Sequence, residues 1–256
     1  MSIVLNEREW AMRALDSHNL GNKAYETLLR IAKYYYSEGY SKRQVREKIG
    51  EFLIRCQPTA SLVAWSPTLE WVTNQAKNMK LIDIPYIPVN ENEFNTIRGL
   101  KGKQAQRLAF TLLSISKFWD CLSPANDHWV NSPDNEIIRM ANIKNSIRRQ
   151  SLLFAQLRDA GMIRFSKKVD NLNVQVLFAE DGDPVYKITD FRNLGYQYLK
   201  LIGEQYCECV NCGITFKDDR GTNGNVVRGR KPIYCRECAT EIHLKQTVNS
   251  VMRNRA

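Results

Sequence analysis

Four cysteines carry the clearest chemistry in this chain: Cys209 and Cys212, then Cys235 and Cys238, in the spacing C-x2-C-x22-C-x2-C. Two residues between thiolates let both sulfurs turn toward one ion while the intervening N–H groups stabilise the charge. Two such knuckles complete a tetrahedral site, and four thiolates select one structural Zn2+. Cys207 competes with Cys209 as a ligand, but the CxxC spacing favours Cys209. A redox dithiol is the weaker reading, because such motifs open a helix in a βαβ context. Catalytic zinc is weaker still, since it keeps an open position and mixed His or carboxylate ligands. Cys56 and Cys121 lie in apolar helical surroundings and read as buried thiols, and His243 reads as exposed on a helix.

A second chemistry is cationic. The chain has 37 Lys and Arg against 27 Asp and Glu, a formal charge of +10 over 256 residues. The excess is concentrated. Between Arg139 and Lys168 eight basic residues face Asp159 alone, and from Lys217 to Ala256 nine face four acidic ones. Clustered Lys and Arg release counterions from a phosphate backbone, so nucleic acid is the expected partner rather than mere solubility. Between the cysteine pairs, Arg228, Arg230 and Lys231 are interleaved with glycines, which suits either a phosphate-binding loop or a solvated loop tip.

Enzymatic constellations are missing. RGLKGKQ has the wrong glycine spacing for a phosphate-binding loop and Gln104 where a metal-binding hydroxyl belongs. The three histidines, His18, His128 and His243, form no motif with a nucleophile. Asp181, Asp183 and Asp190 are candidates for a magnesium site, yet a solvated turn explains them at least as well. Catalysis is therefore the lesser reading, and a protein-interaction adaptor is a further alternative.

The elements that position these residues read as mainly α with small β elements. Residues 1–100 form a helical domain. Asn22–Ser37 has helical apolar spacing, Ser41 and Gln44 make a capping box for the next helix, and Ser66-Pro67 opens a third. Leu81–Val89, with two prolines, is an edge strand or connector, a short helix follows to Leu100, and Gly99 and Gly102 mark a boundary. EGYSKRQVREKI faintly resembles a helix-turn-helix. From 101 to 200 the order is an apolar helix (Gln104–Trp119), a short helix (EIIRMA), a turn at Asn142–Lys144, a basic helix (Asn145–Ala160) ended by Gly161, and a hairpin, MIRFSK to NVQVLF. A strand at Val185–Ile188 and a helix at Phe191–Leu201 lead into the cysteine module at 203–256, with its basic C-terminal helix.

The segment IIRMANIKNSIRRQSLLFAQLRDAGMIRFSKKVDNLNVQVLF resembles the winged helix-turn-helix family. That resemblance implies a third helix in the DNA major groove, with Asn145, Ser146, Arg148 and Arg149 at its start, and a wing whose Arg164, Lys167 and Lys168 contact phosphates. Ile147, Phe154 and Leu157 follow a core-like spacing on that helix. The CxxCG…YCxxC ending resembles zinc ribbon and treble-clef modules. The whole chain resembles uncharacterised proteins of bacterial prophages and integrative elements, which implies DNA regulation or replication in a bacterial or phage-infected cytoplasm. The acidic N-terminus and the absence of a long apolar run argue against secretion or a membrane span. Double-stranded DNA is the expected partner, with protein partners or a homo-oligomer also open.

Overall fold

The helix Ala24–Ser37 (α2) buries every residue from Thr27 to Lys33, so it must be surrounded, and three other helices do this. The computed structural model describes residues 3–167, 173–218 and 231–253. In the first compact unit, Met1–Pro85, α2 packs against Glu7–Ser17 (α1), Lys42–Cys56 (α3) and Leu62–Lys77 (α4). Leu28, Ile31, Val45, Ile49, Leu53 and Val72 form its apolar centre. The Ser41–Gln44 capping box is present. The start of α4 differs from expectation: Ser61 is the N-cap, and Pro67 lies inside the helix. Ser61 accepts from the Ala64 N–H and supplies the cap that Ser66 was expected to give. Tyr34, Tyr35 and Tyr36 are all half-buried against this core.

The second unit, Tyr86–Ala256, is organised on Lys103–Leu122 (α6), a helix buried on nearly all sides from Leu108 to Ser116. Two of its buried hydroxyls are satisfied within the helix, Ser114 and Ser116 donating to the Phe110 and Leu113 carbonyls. Around α6 pack Glu91–Arg98 (α5), Asp134–Met140 (α7), Ile147–Asp159 (α8) and Leu194–Leu201 (α9). The strand Ile87–Asn90 (β1) pairs antiparallel with Pro184–Ile188 (β5). This pairing moves the boundary expected near Gly99–Gly102 back to Pro85, because β1 and α5 belong with the second core. Glu93 ties α5 into that core: its buried carboxylate caps α5, accepts from the Glu180 N–H and pairs with Lys117 on α6.

A three-stranded sheet has the order Trp129–Val130 (β2), Val174–Val176 (β4), Ile163–Phe165 (β3), all antiparallel. β2 falls between the apolar helix and EIIRMA, a stretch to which the sequence assigns no strand. A last hairpin, Tyr206–Glu208 (β6) with Thr215–Lys217 (β7), packs on α9, and Arg236–Arg253 (α10) ends the described chain. The protein is thus mainly helical with small antiparallel sheets. Among the described residues no helix is long and apolar enough to cross a membrane.

Candidate metal centre and the surfaces around it

The β6–β7 hairpin exists to turn Cys209 and Cys212 toward one point. The Gly213 N–H donates to the Cys209 carbonyl at 2.8 Å, and the Cys209 N–H donates to the Ile214 carbonyl at 3.0 Å. That tight knuckle requires Gly213 at φ 73°, a left-handed backbone where glycine carries no Cβ penalty. The second pair comes from a different element. Cys235 immediately precedes α10, and Cys238 lies in its first turn. The Val210 N–H donates to the Ile233 carbonyl at 2.9 Å and holds the two halves together.

The four sulfurs lie within 4.8 Å of one another, and Cys212 Sγ stands 3.8 Å from Cys235 Sγ. A zinc–sulfur bond of about 2.3 Å in a tetrahedron places sulfurs about 3.8 Å apart, so the residues fit this ion. They do not fit a disulfide, whose sulfurs sit about 2 Å apart. Cys209, Cys235 and Cys238 are buried, and Asn211 Nδ2 donates to Cys238 Sγ at 3.3 Å. Cys207 lies in β6, buried but outside the sulfur cluster, which decides the ligand choice for Cys209.

The thiols are not equivalent. Burial pushes Cys209 up, but N–H groups of Cys235, Cys212 and Asn211 outweigh it and bring it down to about 6. Burial raises Cys212 to about 12, with the neighbouring thiols adding to the effect, and burial likewise raises Cys235. Near pH 7 the metal-free site therefore keeps protons on Cys212 and Cys235 that Zn2+ must displace. Zinc affinity is expected to rise with pH and fall as pH drops, by about two decades or more per pH unit near neutrality. Chelator competition at several pH values measures this; a flat profile would contradict thiolate ligation.

The other expected site residues are distributed as follows. Ser146 is the N-cap of α8 without a side-chain cap bond, and Arg148 and Arg149 are exposed on its first turn. Neither arginine has an ion-pair partner among the described residues. Asn145 is occupied, its Nδ2 donating to Gln104 Oε1 at 2.7 Å. Ile147 overturns the expected core stripe, being 81% exposed, as is Leu152 at 62%. Phe154 and Leu157 do face the core. The buried positions of α8 thus fall in its second half, while Ile147, Arg148 and Arg149 at its start are exposed.

In the hairpin, Arg164 points away from the core as the alternation predicts. Its guanidinium donates to Gln175 on β4 and lies over the Trp129 ring of β2. Lys167 is exposed, as is Lys231. Lys168, Arg228 and Arg230 lie outside the described residues. Asp190 is paired with Arg192, and no acidic cluster with Asp181 or Asp183 forms among the described residues. Cys56 is half-buried and Cys121 exposed, so the reading of both as buried thiols does not hold. Both sit toward helix ends, where apolar neighbours in sequence do not guarantee cover.

No protein family, curated protein or solved structure matches the chain.

Proposed function

We propose that this chain binds double-stranded DNA, reading it with α8 in a winged-helix arrangement and using one structural Zn2+ to build its C-terminal module. The observation that carries the reading is the order α6, β2, α7, α8, β3, β4 around one core, with β4 central and the amino-terminal half of α8 left uncovered. That half presents Arg148 and Arg149 at the positive end of the helix dipole, with no acidic residue in the first turn. Arginine forks suit guanine O6 and N7, and exposed Leu152 and Ile147 beside them suit thymine methyl groups. The hairpin of β3 and β4, with Arg164 and Lys167, serves as the wing, and Lys168, next in sequence, adds to its charge. Lys231, with Arg228 and Arg230, supplies a second set of phosphate contacts in this reading. The second cysteine pair at the start of α10 favours the treble-clef form of the zinc module over a ribbon of two hairpins. The resemblance of the chain to proteins of prophages and integrative elements supports placing that DNA binding in the regulation or replication of a phage or mobile element.

Binding to duplex DNA is expected to weaken steeply with salt, with a log–log slope near −0.9 per phosphate neutralised. Arg148→Ala or Arg149→Ala should reduce discrimination between sequences by about 1–3 kcal/mol if the lost contact is bidentate. Lys167→Ala should weaken all sequences alike and flatten the slope by about one unit. Binding selections from a random duplex pool, followed by salt titrations of these variants, measure both. The exposed Ile147 and Leu152 also favour a second reading, a protein-docking face on α8. Absence of DNA affinity at low salt would leave that reading in place of the first.

A further inference from the structure

Two asparagines join the cysteine module to the turn ahead of α8. Asn142, at φ 55°, closes the α7–α8 turn, and Asn193, at φ 54°, is the N-cap residue of α9. Both occupy the left-handed region, which asparagine tolerates better than most side chains. Asn193 Nδ2 donates to the Thr215 carbonyl in β7 at 2.9 Å, and its Oδ1 accepts from Asn142 Nδ2 at 2.9 Å. Asn142 Oδ1 accepts from the Tyr196 N–H at 3.1 Å, while Arg107 Nη1 donates to the Asn142 carbonyl at 3.1 Å. Reversing either amide would set donor against donor and oxygen against oxygen, so the partners fix the direction of the chain of bonds.

The packing around this relay leaves little slack. A Cβ on Gly195 would stand 2.0 Å from the Ala141 carbonyl oxygen, so the first turn of α9 rests directly on the backbone that ends α7. On its other side, Arg192 Nη2 donates to the Cys212 carbonyl at 2.5 Å, and the Tyr196 and Tyr206 rings lie 4.9 Å apart. The amino end of α9 is thereby clamped between the first zinc knuckle and the α7–α8 turn. Thr215 is held in register by a hairpin of three-residue strands, and that hairpin is closed by the Cys209–Gly213 knuckle. Such short strands have little stability of their own.

We infer that Asn142 and Asn193 are positioning residues through which the metal state of the four-cysteine centre sets the order of the α7–α8 turn and the start of α8. The consequence for DNA rests on the winged-helix reading; the coupling itself does not. Metal loading fixes the Thr215 carbonyl, Asn193 is held by it, and Asn142 is held by Asn193. By thermodynamic reciprocity, whatever factor zinc contributes to order in the turn, the intact turn contributes to zinc affinity.

The test uses the full chain, zinc-loaded and chelator-stripped, followed by hydrogen exchange read on peptides spanning residues 139–150. Stripping is expected to speed exchange there roughly tenfold, with α2 to α4 unchanged. Asn142→Gly keeps the left-handed backbone and removes the relay, and the side chain it removes has no hydrogen bond to the zinc hairpin. In that variant the difference between loaded and stripped protein should vanish at residues 139–150. Its zinc affinity, measured by competition with a colorimetric chelator, should fall by the same factor. Asn193→Gly should give both effects from the other end, and serves if Asn142→Gly does not fold. Zinc removal that opens only residues 203–253, or glycine variants with undiminished zinc affinity, would overturn the inference. Intact coupling in a chain that fails to bind DNA would support it while removing the winged-helix reading.

Discussion

Cys235→Ser is expected to lose the zinc and unfold the C-terminal module, while the helices of the first unit keep their own unfolding transition. The module's core is the cysteines themselves, with Ile214, Phe216 and Tyr234 packed partly against them. Its two strands have three residues each. Beyond Cys238, α10 is exposed or only half-buried from Ala239 to Thr247. A helix so poorly covered is marginal in water, because nucleating its first turn fixes several dihedrals for one hydrogen bond. The ion must therefore supply most of the module's folding energy, on the order of 10 kcal/mol in small structural sites. A serine hydroxyl at position 235 breaks the tetrathiolate and removes much of that energy. Elemental analysis should find no stoichiometric zinc in the variant, and far-UV circular dichroism should show a loss of helix matching α10. Retained zinc with an unchanged helical signal would show that the cysteines are not the main support of this module.

The metal centre was legible because its information is local: each CxxC pair encodes its own knuckle, and only the meeting of the two needs the fold. The helix-turn order from α6 to β4 was legible for a similar reason, since Gly161 and the apolar period of α6 act within a few residues. What was hidden depends on distant partners. β2 has two residues and no period, and it is a strand only because β4 lies beside it. The two prolines of Leu81–Val89 leave an edge strand and a connector both open; β1 is a strand because β5 pairs with it, and β5 lies on the far side of several helices and the three-stranded sheet in sequence. Ile147 fits an apolar period, yet no described element covers that end of α8, so its side chain stays in water. Pro67 marks a helix start in sequence, but the Ser61 cap precedes it and sets the register. The Asn142–Asn193 relay had half a signal, the turn at Asn142; its meaning required knowing that Asn193 comes to meet it.

Glu7→Ala is expected to destabilise the first unit by about 3–5 kcal/mol, the cost of stranding buried cations without their counter-charge. Glu7, Arg30 and Lys33 have side chains no more than 3% exposed, on α1 and α2. The Glu7 carboxylate pairs with Lys33 Nζ, lies 3.6 Å from Arg30 Nε, and accepts the Ile82 N–H at 2.9 Å. One acidic group thus serves two cations and ties the segment around Ile82 to α1, where the Glu7 N–H also donates to the Ile82 carbonyl. Arg30 has further support from Glu26, at 3.9 Å, and from the Trp10 ring, 5.1 Å from its guanidinium carbon. Lys33 has no such second acidic partner among the described residues, so the larger share of the loss should come through it. Glu7→Gln retains an acceptor for the Ile82 N–H and should cost less than alanine. Pairing Glu7→Ala with Lys33→Met removes a stranded charge and should recover part of the loss, because a well-packed apolar replacement of a buried pair is often neutral or stabilising. Urea unfolding of the single and double variants, followed by tryptophan fluorescence, gives the coupling directly. A Glu7→Ala loss within about 1 kcal/mol, or a double-variant loss no smaller than the sum of the two single losses, would mean that water reaches these charges and that the cluster is not sealed.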